Sequence, residues 1–216
     1  DPPVLWLDAG RDNYAGITFH HKGQAGSGKA PLFIAWMSNW QYCRTVPTES
    51  WRGTMTLPRE LVLQATLAGY RIKQRVPATI FTAKSWIALE QATSYDIRNH
   101  TALSLKWEGA SDVELTLTSA SGDYLGFEVT VEGARLDRQW LQNSEFSEAF
   151  PSVEFADFHQ QGKGQHLIIV DGTSFEYFGE DGLTALSDLF FVKQWFDRLV
   201  VRAATGLDVT LQVLAP

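Results

Sequence analysis

Two closely spaced acidic pairs are the first groups with catalytic chemistry in reach: Asp8 with Asp12, four apart across Gly10, and Asp171 with Glu176, five apart. Hydrolysis by paired carboxyl groups needs one ionised and one protonated, ~5–5.5 Å apart, in environments that drive their pKa values apart. Neither spacing suggests that. Asp8 and Asp12 read as turn-forming aspartates, Asp171 and Glu176 as charges on a strand face, and no catalytic residue is assigned. Metal chemistry fares no better. Of the five histidines only His20 and His21 are adjacent, and adjacent residues of a strand point to opposite faces. The single cysteine, Cys43, has no His or carboxylate partner close in sequence and reads as a free, partly buried thiol. A glycine-rich loop at 23–28, followed by Lys29, lacks the G-x-x-x-x-G-K-[ST] spacing of a phosphate loop, so no cofactor is expected.

Binding chemistry is more visible. Residues 36–52, WMSNWQYCRTVPTESWR, hold three tryptophans and a tyrosine. In an alternating strand Trp36, Ser38 and Trp40 share one face, and Met37, Asn39 and Gln41 the other. Two tryptophans on one face serve equally well to pack a core or to present a flat surface. Trp40, at the strand end beside Asn39 and Gln41, is placed to offer its indole to the apolar C–H face of a sugar ring. Asp12 and Tyr14, on a turn entering a strand, form a second candidate; a turn-capping aspartate is the plainer reading of Asp12. Trp51-Arg52 and Pro58-Arg59-Glu60 read as structural, fixing the loop that carries Trp40. For Arg52 the partners in reach are a stack on Trp51 or Trp40, or a pair with Glu49 or Glu60.

The elements that must hold these residues are strands. VELTLT (113–118), FEVTV (127–131), LVVRA (199–203) and VTLQV (209–213) alternate with period two, and Glu108-Gly109, Ser121-Gly122-Asp123, Glu132-Gly133 and Glu180-Asp181-Gly182 supply turns between strands. RELVLQATLA (59–68) admits a turn or two of helix, but strand fits its context better. The chain is therefore expected to be all-β. At 44% apolar its 216 residues are able to bury a core. A net charge of −7 without a basic block gives no footprint for nucleic acid, and no apolar run reaches the ~20 residues of a membrane helix. Four of the eight tryptophans fall in the first 65 residues, whose roughly four strands are too few to close a core. The first part looks like a piece of something larger, and the chain opens on Asp1-Pro2-Pro3, as if a preceding segment had been removed.

DNYAG (12–16), IAWMSNWQY (34–42) and VPTESWRGTMTLPREL (46–61), in this order, resemble the last propeller blade of glycoside hydrolase family 32, the invertases, inulinases and levanases. ARLDR (134–138), LIIVDGTSFEYF (167–178) and LSDLFF (186–191) resemble that family's C-terminal sandwich. The resemblance covers essentially the whole chain. It implies a five-bladed β-propeller joined to a β-sandwich. The boundary is set by a change of texture, from the tryptophan-rich first part to more regular alternation after about residue 76. Residues 1–68 are then the last blade segment, 69–76 a linker and 77–216 the C-terminal β-sandwich. The implied activity is retaining hydrolysis of terminal β-fructofuranosides. The family's nucleophile motif (Trp-Met-Asn-Asp-Pro-Asn-Gly-like), its Arg-Asp-Pro motif and its Glu-Cys-like acid/base motif do not occur in these residues. All three catalytic carboxylates are thus expected on a separate N-terminal segment, the partner of this chain. The resemblance turns the open question of the tryptophans: Trp36 is expected in the core and Trp40 in the fructose subsite, with Asp12, Tyr14 and Asn39 as further substrate contacts.

Two other readings use the second half. As a binding module, the sandwich would hold fructans without cutting them, through Trp86, Trp107, Trp140 or Trp195. As a structural part, it would cap the propeller or form oligomers, with Phe146, Phe150, Phe155 and Phe158 as the docking surface. WMSNWQY and PTESWRG lean toward fructan hydrolases over plant invertases, and polymer substrates imply an extracellular or periplasmic location.

Overall fold

Alternating segments become strands where one face finds something to bury against. The computed structural model of the chain describes residues 4–19, 29–67, 69–80, 87–90, 94–98, 102–109, 112–203 and 209–213. The glycine-rich loop at 23–28, His20, His21, His100 and Trp86 lie outside the described residues. Among those described there are seventeen strands in three antiparallel sheets, two short 3-10 turns and no α-helix, as expected of an all-β chain. No helix among them is long and apolar enough to cross a membrane.

The first sheet holds β1 (Tyr14–Phe19), β2 (Leu32–Met37), β3 (Thr54–Met55), β4 (Arg59–Thr66) and β5 (Gly69–Arg75), in the order β1-β2-β4-β5 with β3 also on β2. Arg59–Thr66 is strand, as read. The expected linker at 69–76 is instead mostly strand. β5 pairs with β4 from Thr66–Gly69 to Glu60–Arg75. The physical reason is local: Tyr70 and Ile72 alternate with Arg71, Lys73 and Arg75, and Gly69 at φ 97° permits the reversal.

The remaining strands form two six-stranded sheets. One runs β12 (Val153–Asp157), β11 (Gly133–Asp137), β10 (Tyr124–Val129), β9 (Val113–Thr118), β16 (Arg198–Ala203), β7 (Ser94–Asp96). The other runs β15 (Thr184–Leu189), β14 (Ser174–Gly179), β13 (Gln165–Asp171), β8 (Ala102–Glu108), β17 (Thr210–Val213), β6 (Ile87–Ala88). They pack as two layers. Leu115, Leu117 and Phe127 of one meet Ile168, Phe175 and Tyr177 of the other in a shared core, with the Phe127 ring 5.1 Å from Phe175 and 4.9 Å from Tyr177.

The expected phenylalanine docking surface does not form. Phe150 is fully buried and stacks with Phe146 and Phe191, Phe158 lies edge-on to His166, and of the four only Phe155 is exposed. Phe146, Phe150 and Phe158 instead pack against the core of the two-layered unit.

The first sheet meets the two-layered unit through residues 8–12, which run along the free edge of β15. Ala9 N–H donates to Ala185 O at 2.8 Å and Asp12 N–H to Ser187 O at 3.1 Å. In return Asp8 accepts from Ser187 N–H and Asp12 from Leu189 N–H, at 2.8 and 2.9 Å. An otherwise open sheet edge is thereby paired. Gly10 is required there, because a Cβ would stand 2.1 Å from Ser187 O.

A buried histidine fixes another corner. His166 Nε2–H donates to Gly162 O and Nδ1 accepts from the Tyr177 hydroxyl, both at 2.7 Å, while Trp107 stacks on the ring. Burial lowers the His166 pKa, outweighing the pull of Glu180 and Asp181. The unfolded chain takes up this proton near pH ~6.5 and the folded one lower, so between those values the unfolded state binds more protons. Stability from this group is therefore complete above ~6.5 and declines as pH falls below it. The expected result is a His166 ring resonance that shows no titration step near pH ~6.5 and moves only at distinctly lower pH. A normal midpoint in the proton NMR titration would mean that the ring is solvated.

Candidate functional site

At the end of the first sheet where β1 begins and β2 finishes, three strands align a row of apolar side chains. Tyr14 is the cross-strand partner of Trp36, and Trp36 of Met55. The chain then turns, and Trp40 folds back to put its ring 5.2 Å from Trp36 and 6.2 Å from Tyr14. Tyr14 and Met55 are each 50% exposed and Trp40 61%, whereas Trp36 is half-buried between them. Open surface of this kind, flat and assembled from several elements, suits a sugar face better than a core.

Trp36 therefore corrects its expectation, since it stands in the aromatic row and not in the core. LFIAWM is apolar on both faces, and burial falls to Phe33, Ala35 and Met37. Trp40 does stand near Trp36, but through a turn: β2 ends at Met37, and residues 40–45 form the reversal.

Asn39 builds that reversal. Its side chain donates to Arg11 O and accepts from Gln41 N–H, both at 3.0 Å, and its carbonyl accepts from Tyr42 and Cys43 N–H. With these groups engaged, Asn39 acts by positioning Trp40. Arg52 donates to Val46 O at 2.8 Å, tying the following loop as a structural residue, through a backbone partner and not through Glu49 or Glu60. Gly53 (φ 82°) lets that loop pass beneath Trp36, because a Cβ there would lie 2.5 Å from the indole nitrogen.

Asp12 does not face the open row. It is fully buried, and both oxygens are taken: Oδ1 by the Tyr42 hydroxyl at 2.5 Å, Oδ2 by Arg138 and Leu189 N–H at 2.9 Å. A sugar hydroxyl has no route to it. Asp8 makes the expected Asx turn to Gly10 N–H at 3.0 Å, but its larger role is with Arg59. That fully buried guanidinium holds Asp8 at 2.8 Å, Glu176 at 2.7 Å, Gln74 and Ser187. Burial would raise the Asp8 carboxyl, yet the Arg59 charge and hydrogen bonds from Arg59, Asn13 and Ser187 hold it below its usual value. At Glu176 burial wins and the pKa is raised. Sequence reasoning missed both arginine networks, which join residues up to 128 positions apart. Among the described residues no three His, Cys, Asp or Glu side chains gather as a metal site.

Comparison with known proteins accords with this architecture. Residues 1–75 match the model of the glycosyl hydrolases family 32 N-terminal domain, and residues 65–213 that of the glycosyl hydrolases family 32 C terminal. The levanase of Bacillus subtilis (strain 168) is 30% identical over 95% of this chain and 33% of its own length. The extracellular exo-inulinase of Aspergillus niger is 25% identical over 86% of this chain and 37% of its own. This chain thus spans about a third of the curated relatives it matches. The fold is shared with exo-inulinase from Aspergillus awamori (TM-score 0.79, 23% identity, 97% of this chain and 44% of that one). It is shared also with β-fructofuranosidase from Schwanniomyces occidentalis (TM-score 0.72, 20% identity, all of this chain and 50% of that one). With more than half of its residues matching the C-terminal model and the first 75 the N-terminal one, the chain belongs to glycosyl hydrolase family 32.

Proposed function

We propose that this chain is the C-terminal part of a retaining β-fructofuranosidase acting on terminal fructosyl units of inulin, levan or sucrose. Residues 1–75 complete a five-bladed β-propeller, and the two-layered unit is the C-terminal β-sandwich. The observation that carries the reading is the open row of Tyr14, Trp36 and Trp40 in a chain of this family. In this mechanism the row takes the C–H face of the fructosyl ring and holds the glycosidic bond toward the carboxylates of an N-terminal segment. One carboxylic acid protonates the leaving oxygen, a carboxylate captures the fructosyl carbon, and water releases it with the first group as base. Excluding water from the ring's apolar face is this chain's share.

Support for an N-terminal partner comes from β1, exposed along its whole length, with Ile17 64% and Phe19 43% open. A neighbouring blade is the natural cover for such a strand. The enzyme is placed outside the cytoplasm, extracellular or periplasmic, in keeping with the exo-inulinase whose name states extracellular.

The alternative, a fructan-binding or oligomerising sandwich without catalysis, finds less support. Trp107 is buried against His166, and Trp195 packs on Phe190 and Phe196. Trp140 remains exposed. The expected result is that the chain alone releases no fructose from sucrose, inulin or levan, whereas a polypeptide joining it to the three catalytic motifs does. Fructose release by the chain alone, measured by chromatography, would overturn the division of labour.

A further inference from the structure

Trp40 is open to solvent, yet the residues on either side of it are held by one residue from another segment. Arg11, on the stretch entering β1, takes both. Its carbonyl oxygen accepts from the Asn39 side chain at 3.0 Å, and its Nη2 donates to Gln41 Oε1 at 2.5 Å. The Asn39 side chain also accepts from Gln41 N–H, so Asn39, Trp40 and Gln41 are gathered around Arg11 as one unit.

The guanidinium is in turn placed by the two-layered unit. Nη1 donates to Ala149 O at 2.7 Å, and Nε lies 3.7 Å from the Glu154 carboxylate on β12. The Arg11 backbone N–H donates to Asp188 on β15 at 3.2 Å. A planar, permanently charged fork can face these partners in one rotamer, which the single ammonium of a lysine cannot. The far end of the turn is rooted separately, where the buried Tyr42 ring lies edge-on to Phe150 at 5.2 Å. Between that root and the exposed indole, Arg11 extends the grip of the two-layered unit to the tip of the turn.

We propose that Arg11 is a positioning residue, through which the two-layered unit sets the Trp40 indole against Trp36 and Tyr14 before a sugar arrives. The inference rests on the reading of the aromatic row as the sugar-binding face. It gives the second half of the chain a share in substrate binding without contact to substrate. The physical basis is preorganisation. A ring already held need not be ordered on binding, and ordering one large side chain weakens affinity about two- to tenfold. The bond to Gln41 is exposed to solvent, which places the effect toward the lower end.

The test uses a polypeptide joining this chain to the catalytic motifs and labelled with 5-fluorotryptophan, the Trp40 signal being assigned by its loss in Trp40→Phe. Arg11→Met keeps the stem and the backbone bonds to Asp188 and Asn39 while removing the fork. The Trp40 fluorine resonance is expected to shift and broaden, and KM for inulin to rise about two- to fivefold with kcat unchanged. Gln41→Leu cuts the same link from the turn and should do the same. The double variant should then be no worse than either single one. Arg11→Lys should recover part of the loss in KM. A merely structural Arg11 would lower the thermal midpoint and leave both the Trp40 resonance and KM as in the parent, and that result overturns the proposal. Additive effects of Arg11→Met and Gln41→Leu overturn it too. A displaced Trp40 resonance, with KM unmoved by Arg11→Met and by Trp40→Ala alike, would sustain the positioning and sink the sugar site. The same displacement, with KM raised by Trp40→Ala alone, would leave the site intact and overturn the share of Arg11 in binding.

Discussion

Arg138→Met is expected to destabilise the chain by about 3–5 kcal/mol, a fall in thermal midpoint of about 6–20 °C. The guanidinium is fully buried, 2.9 Å from Asp12 and 3.3 Å from Asp188. It also donates to Leu189 O, the Tyr42 oxygen and Ser152 Oγ, and lies 4.4 Å over the Phe150 ring. Methionine replaces the stem volume and none of these bonds. Two carboxyl groups are then left in the interior without a cation. Burial with the nearby Asp12 charge already raises the Asp188 pKa against the pull of Arg138, and its Oδ2 is buried without a partner. The site tolerates little further loss. Arg138→Lys should recover only part, since one ammonium cannot reach partners on several sides of a planar fork. Adding Asp12→Asn to Arg138→Met should return about 1–2 kcal/mol by removing a stranded charge. A single variant within about 1 kcal/mol of the parent in urea denaturation would show that water reaches these carboxylates and that the network is not what joins the two parts.

How much of this was legible beforehand follows from the range of each interaction. Strands were readable because period-two alternation is local: β4, β9 and β16 stand where 59–68, 113–118 and 199–203 implied, and β10 overlaps 127–131 at 127–129. Trp40 and Tyr14 were named as substrate contacts through the resemblance, and both are exposed. Asn39 was named with them on a strand face, whereas its side chain builds the turn. The burial of Asp12 was not, because Arg138 stands 126 residues away and no spacing announces the pair. Trp36 was misplaced because LFIAWM is apolar on both faces, and alternation names two faces without saying which one a second sheet will cover. Residues 69–76 were read as a linker on a change of texture, yet Tyr70 and Ile72 carry the same alternation as β4. The misses at Asp12 and Trp36 turn on contact across sheets, which pattern within one segment does not encode; residues 69–76 carried a readable alternation that the change of texture overrode.

Trp36→Ala and Trp40→Ala, assayed in a polypeptide that also carries the catalytic motifs, are each expected to lower kcat/KM for inulin about 10- to 100-fold. The magnitude follows from burying one indole face against a sugar, worth ~1.5–3 kcal/mol for a large apolar side chain. Trp36 should be the more sensitive position. It is held between Tyr14, Met55 and the Gly53 loop, so its plane is fixed before substrate arrives, whereas Trp40 stands on a turn with most of its surface open. Stacking made equally in substrate and transition state would appear in KM alone. A loss in kcat as well would mean that the ring also steers the flattened, oxocarbenium-like sugar. The control is Asp12→Asn, which should lower the thermal midpoint and leave KM at permissive temperature unchanged, because Asp12 is sealed behind Tyr42 and Arg138. If Asp12→Asn raised KM while Trp36→Ala and Trp40→Ala left it untouched, the aromatic row would be ordinary surface and substrate would have to enter from the side of the buried carboxylate. The exposed Trp40 permits a clean measurement, since truncating a side chain 61% open to solvent leaves the fold within about 0.5 kcal/mol of the parent.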